Sequence, residues 1–222
     1  MNTVILLIEV IVVFSALLAM YALFGKGGVI AWVGIATVLA NVITAKNADI
    51  LGMQTAIGTV MFASTFLATD ILSENHGKEA AKKAVYVGLF ADVMLIISTQ
   101  IALLYKPSEI DYANDAMKTL FSLNLRISLA SMVMYFLSNM LDVTIFTKLK
   151  EKGTALWVRN NVATILCNCL ENFGFSWLAF VGIYDTMTIL IIAASTSVVE
   201  MIAAVLDTPF VYLSRKISRK GD

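Results

Sequence analysis

The chain has 222 residues, of which 59% are apolar and 14% charged, with a mean hydropathy of +0.83. Soluble domains run at about 45–50% apolar and about 25% charged, so this composition excludes intrinsic disorder and argues against every soluble class. Sixteen basic and sixteen acidic residues cancel, which removes the positive footprint of a nucleic-acid binder and leaves the lipid bilayer as the expected surroundings.

Apolar runs of about 18 residues or more predict seven membrane-spanning helices. They lie at about 2–24, 29–45, 50–72, 84–105, 120–149, 155–183 and 188–213. The fold class expected is all-α, a polytopic integral membrane bundle of six to seven transmembrane helices in one domain, 1–222. The second run is short, and 47–54 reads as an irregular break, so six spans with a re-entrant piece is the alternative. The first run carries Glu9, has no Lys or Arg before it and is too long for a signal peptide, so it reads as a true helix.

The loops sort the basic residues. With seven spans, twelve fall on one side: Lys26; Lys78, Lys82 and Lys83; Lys148, Lys150, Lys152 and Arg159; and Arg215, Lys216, Arg219 and Lys220. Three fall on the other, Lys46, Lys106 and Lys118, while Arg126 lies inside the fifth run. That asymmetry predicts a multi-pass protein of the plasma membrane with its C-terminus in the cytoplasm.

Charge inside a bilayer is expensive, so intramembrane ionisable residues mark candidate sites. Here they fall on stripes. Ser128, Ser131, Tyr135, Ser138 and Asp142 follow one helix face, with Asn139 beside it. Asn161, Thr164, Asn168 and Glu171 follow another, opened by Arg159 and flanked by Asn160 and Asn172. Thr196, Glu200, Ala203 and Asp207 make a third, and Thr59, Ala63, Phe66, Asp70 and Glu74 a fourth. Asp92 and Asn41 add single polar groups on the fourth and second runs. These faces are expected to turn inward around a hydrophilic pocket. Carboxylates beside amides suit the donor and acceptor edge of a planar heterocycle.

No nucleotide-binding GxxxxGK[ST] loop, HExxH, GxSxG or CxxC motif occurs, and no nucleophile–base pair is visible, so an enzyme is not expected. Cys167 and Cys169 read as small apolar residues, and neither a metal nor a cofactor is expected. His76 reads as a plain loop residue.

Several stretches resemble the queuosine precursor transporter family, also called the vitamin uptake transporter family. They are Asn41-Val-Ile-Thr-Ala-Lys46, Ala68-Thr-Asp70-Ile-Leu-Ser-Glu74-Asn-His-Gly77, Leu141-Asp142-Val-Thr-Ile-Phe146, Trp157-Val-Arg159-Asn160-Asn161-Val-Ala-Thr164 and Asp207-Thr-Pro209-Phe-Val-Tyr212. The resemblance implies an importer of 7-deazaguanine compounds that works without a dedicated ATPase and forms a homodimer. It implies ligand contact at Asn41, Asp70, Glu74, Asp142, Arg159 and Asn161. Together with the stripes, the expected substrate-binding set is Asn41, Asp70, Glu74, Asn139, Asp142, Arg159, Asn161, Asn168 and Glu171. Glu74 and Asp142, near helix ends, are alternatively gates. The sequence departs from the family pattern at Asn168 (Gln expected), Glu171 (Asp), Glu200 (Lys), His76 (Tyr) and Ala63-Ser-Thr-Phe66 (a Pro-aromatic pattern).

Proton coupling through a cavity carboxylate is a further expectation. Two alternatives stand beside it. A substrate-binding subunit would borrow an ATPase, docked through small residues such as Ala36 and Ala40, and the ligand would then be this or another heterocycle or vitamin. An intramembrane enzyme or scaffold would leave the polar stripes without a transport role.

Overall fold

The computed structural model describes residues 1–50, 52–121 and 125–218. Among these are seven helices and one β-hairpin: α1 (Asn2–Ile43), β1 (Asn47–Ile50), β2 (Met53–Ala56), α2 (Thr59–Asn75), α3 (Lys78–Leu104), α4 (Asn114–Phe121), α5 (Leu125–Glu151), α6 (Leu156–Phe180) and α7 (Thr186–Ser218).

The first two predicted helices, 2–24 and 29–45, are the two arms of α1, which meet at a kink. Gly25 leaves helical geometry at φ 57°, ψ −147°, a region that glycine enters without penalty. At 1.5 Å per residue, 42 residues would reach about 63 Å, twice the hydrocarbon thickness. The chain folds back instead. A Cβ on Gly28 would lie 2.8 Å from the Cβ of Phe24 and collide with the Met20 carbonyl. Asn2 Nδ2 donates to the Asp49 carbonyl at 2.9 Å, so the chain returns to the level where it began.

The predicted third helix, 50–72, needs correcting. Residues 47–56 form an antiparallel hairpin, Asn47 opposite Ala56 and Ile50 opposite Met53, and the helix begins at Thr59. Gly52, at φ 78°, sits at the tip. The apolar content of Ile50–Ile57 matched a helix equally well, and periodicity cannot separate such short runs. Of the predicted 120–149 helix, 120–121 belong to α4 and 125–149 to α5, and 122–124 lie outside the described residues, while α3 starts six residues before the predicted 84.

α2 is the hub. Every residue from Thr59 to Ser73 except Phe62 is buried, so the helix has no solvent- or lipid-facing stripe. It packs on α1, α3, α5 and α7. The rim presents large apolar side chains outward, among them Ile8, Ile11, Phe90, Leu137, Leu166 and Ile191, as lipid requires. α1, α3, α5 and α7 are long and apolar enough to cross a bilayer. α2 has only 17 residues, and α6 is diluted by Arg159, Glu171 and four asparagines.

The bundle has two unlike ends. The hairpin, the α3–α5 connection and the start of α7 share one. Asp185 caps α7 there, accepting from Thr188 N at 3.1 Å and Thr188 Oγ1 at 2.6 Å, and these bonds hold its carboxyl below the ordinary value. The Gly25 bend, the α2–α3 and α5–α6 turns and the end of α7 share the other. Every described basic residue sits at this second end except Lys46, Lys106, Lys118 and Arg126.

Candidate functional site

The four sequence stripes converge. Asp70 on α2, Tyr135, Ser138 and Asp142 on α5, Thr164, Asn168 and Glu171 on α6, and Glu200 and Asp207 on α7 are all buried. They form three layers along the bundle.

The first layer is a cavity of about 1010 Å³ at the hairpin end, walled by the second arm of α1, the hairpin, α2, α3, α5, α6 and α7. It is at the upper end of the usual range for ligand sites. Three carboxylates line it. Glu200 accepts from Asn172 Nδ2 at 2.6 Å. Asp92 accepts from Asn41 Nδ2 at 3.0 Å. Glu171 accepts from the Ser138 hydroxyl. Every one of these donors is neutral, and no Lys or Arg lines the cavity among the described residues. Phe62, Phe175, Phe180 and Tyr184 add aromatic surface. The Tyr135 hydroxyl, buried in the wall, has no hydrogen-bond partner among the described residues. Such a wall offers acceptors, amides, a free phenol and ring faces to a flat polar guest.

The second layer lies deeper and is closed. The Thr164 hydroxyl is 3.2 Å from Asp70 Oδ2 and 3.5 Å from Asp142 Oδ1. Asn160 Nδ2 donates to Asp207 Oδ1 at 2.6 Å. Asn139 donates to its own helix at the Tyr135 carbonyl, 3.0 Å away. Asn168 is 1% exposed, and neither atom of its amide finds a partner among the described residues. A buried unsatisfied polar group costs about 1–3 kcal/mol, so this layer holds unspent hydrogen-bonding capacity.

The third layer closes the far end. Glu74, at the end of α2, has a side chain only 5% exposed and gathers three cations from three helices. Arg215 of α7 donates through Nε at 2.8 Å and Nη2 at 2.5 Å. Arg159 of α6 donates through Nη2 and is itself stacked on Phe146, 5.4 Å from the ring centre. Lys150 of α5 lies 3.8 Å from Glu74 Oε2 and donates to the Ser73 and Glu74 carbonyls at 2.9 and 2.5 Å. Carbonyls at a helix C-terminus are natural cation acceptors.

The predicted set therefore divides. Asn41 and Glu171 face the cavity. Asp70, Asn139, Asp142 and Asn168 belong to the sealed middle layer, and Glu74 and Arg159 to the closed end. Asn161 stands apart, half-buried and bonded to Thr208 Oγ1 at 2.8 Å and the Trp157 carbonyl at 2.8 Å. The set omitted Asp92, Tyr135, Asn172 and Glu200, all of which line the cavity. Their intramembrane polarity was the available signal. Ala36 and Ala40, read as a docking stripe for a partner, are 0% and 5% exposed inside this chain.

Residues 56–214 match the family model described as "Putative vitamin uptake transporter". The chain is similar to the "Probable queuosine precursor transporter" of Bacillus subtilis (strain 168), 32% identical over 93% of this chain and 92% of that one. It is 33% identical to the Haemophilus influenzae protein described in the same words, over 55% of this chain and 51% of that one. It is 29% identical to the "Queuosine precursor transporter" of Escherichia coli (strain K12), over 64% and 62%. No solved structure matches. The chain belongs to the vitamin uptake transporter family: it is a multi-pass membrane transporter, not an enzyme.

Proposed function

We propose that this family member imports queuosine precursors of the 7-deazaguanine type, held in the cavity at the hairpin end, without a dedicated ATPase. One observation carries the reading. A large cavity bordered by three carboxylates reaches one face of the bundle, while the opposite end is closed by the Glu74 cluster. That is the shape of one state of an alternating-access carrier. In this reading Glu171, Glu200 and Asp92 accept from the ring N–H and amino groups, and Asn41 and Asn172 serve its carbonyl. The aromatic side chains cover its faces. Asp70, Asn139, Asp142 and Asn168 line the onward path, Asn161 ties α6 to α7 beside it, and Glu74 with Arg159 bars it.

The arms of α1 with α2, α3, α5, α6 and α7 make seven crossings. The basic end is cytoplasmic by the positive-inside rule, so the C-terminus is inside and the cavity opens outward. The protein works in the bacterial cell membrane as a homodimer, with no cofactor and no nucleic acid. Mass photometry in nanodiscs tests the dimer.

The testing experiment is a melting series on purified protein with 7-cyano- and 7-aminomethyl-7-deazaguanine, queuine, guanine and vitamins. A ligand at about 100 times its Kd stabilises the folded state by about 2.7 kcal/mol. A shift with a 7-deazaguanine, lost in Glu171→Ala and Asn172→Ala, is the expected result. A shift only with another compound overturns the substrate class.

A further inference from the structure

In the sealed middle layer, unlike the cavity, two carboxylates share a single neutral donor. Asp70, Asp142 and Asp207 are 0%, 0% and 1% exposed. None is ion-paired to Lys or Arg among the described residues. Arg159, five residues before Thr164, gives Nη2 to Glu74 and Nη1 to the Thr154 carbonyl at 2.7 Å, and its buried Nε has no partner among the described residues. Asp207 has a donor of its own in Asn160. Asp70 and Asp142 share one, the Thr164 hydroxyl, which has a single hydrogen to give.

The two carboxyl groups flank that one hydroxyl, at 3.2 and 3.5 Å, from two different helices. Asp70 Oδ1 and Asp142 Oδ2 have no partner among the described residues. Asn168, one turn beyond Thr164 on the same face of α6, is buried with both amide atoms unpartnered, and Asn139 Oδ1, three residues before Asp142, is unpartnered too. Two ionised carboxylates so placed would each carry a desolvation penalty of several kcal/mol with no cation to offset it.

We infer that Asp70 and Asp142 form a proton-binding site that shares one proton across the α2–α5 contact and releases it during each transport cycle. Loading forms one O–H bond on a carboxylate oxygen and removes one negative charge. Release breaks that bond and sends the proton to water at the far end. The counter-charge is then Arg159, five residues from Thr164, which the opening of the Glu74 cluster sets free.

Other titratable groups surround the pair. Cys167 faces it from α6 and Asp207 from α7, while Glu171 of α6 and Tyr135 of α5 line the cavity. Glu200 and Asp92 sit at the cavity, and α1 contributes Glu9 and the Tyr21–His76 hydrogen bond at 2.9 Å. α2 itself adds Glu74.

The site is tested apart from the substrate, and its use in transport rests on the reading above. Infrared difference spectra of the protein in nanodiscs should show a protonated carboxylic carbonyl band at neutral pH. The Asp70→Asn/Asp142→Asn double variant should lose the component of that band which Thr164→Val shifts, while any contribution from the cavity carboxylates stays. A band unchanged by the double variant, or replaced by carboxylate when sodium chloride is substituted for potassium chloride, overturns the site. In proteoliposomes, counterflow of labelled 7-cyano-7-deazaguanine tests the substrate reading alone. Accumulation under an inward proton gradient tests coupling, and in Asp142→Asn the ratio of gradient-driven accumulation to counterflow should fall to the value the wild type shows without a gradient. Accumulation that ignores the proton gradient in the wild type, or a full gradient response in Asp142→Asn, overturns coupling.

Discussion

The cavity end and the closed end both carry buried carboxylates, but partner them differently. Glu171, Glu200 and Asp92 each take a neutral hydroxyl or amide. Glu74 takes two guanidiniums and an ammonium. A neutral donor can be exchanged for a ligand N–H at little net cost, because one hydrogen bond replaces another. A buried carboxylate–guanidinium pair cannot be opened so cheaply, since each charge needs the other. The first arrangement suits a site that binds and lets go. The second suits a bar that holds α2, α5, α6 and α7 together until something replaces its contacts.

Four substitutions press on that contrast, from the largest effect to the smallest. Glu74→Ala leaves Arg159 buried without a counter-charge, and should destabilise the protein by about 3–5 kcal/mol, read as a lowered melting temperature. If melting stays unchanged, the far end is not held by charge. Glu200→Ala removes a carboxyl acceptor from the cavity and should weaken 7-deazaguanine affinity by tenfold or more, on the basis of about 1–3 kcal/mol for a buried donor left without its partner. Titration by calorimetry reads it, with global stability little changed. Gly88→Ala puts a Cβ 2.9 Å from Tyr135 Cζ and 3.0 Å from Val33 Cγ1. Overpacking should cost about 1–3 kcal/mol and displace Tyr135 in the cavity wall, so affinity and stability fall together. Arg215→Ala removes the most exposed cation, whose side chain is 45% exposed, and should cost no more than about 1 kcal/mol.

A labelling experiment sharpens the same comparison. With Cys167 and Cys169 replaced by Ala, Ser195→Cys in the cavity wall should react with an impermeant maleimide from outside. Ser73→Cys, beside the closed end and 1% exposed, should be protected. Equal labelling of both would show that the two ends do not differ in access.

Much of this was legible in the residues themselves. Composition and the run lengths of apolar segments demanded a helical membrane protein, because lipid tolerates a backbone only when its polar groups are satisfied within the segment. The 3- and 4-residue steps through Asp142, Glu171 and Glu200 put each polar stripe on one helix face, and all of them turned inward. Boundaries were harder. The strands 47–50 and 53–56 lie where 47–54 read as an irregular break, yet the helix after them begins at Thr59 and not at 50, and the Gly25 kink falls between the first two predicted helices.

Only the tertiary structure decided which of the inward polar groups share a space. Asp70, Asp142 and Glu171 look alike along their helices, yet the first two are sealed around Thr164 while Glu171 borders open volume. Helix periodicity fixes the angle of a side chain about its own axis. The depth and tilt at which neighbouring helices meet it, and so whether it ends against a carboxylate, an arginine or a cavity, come from packing between distant segments.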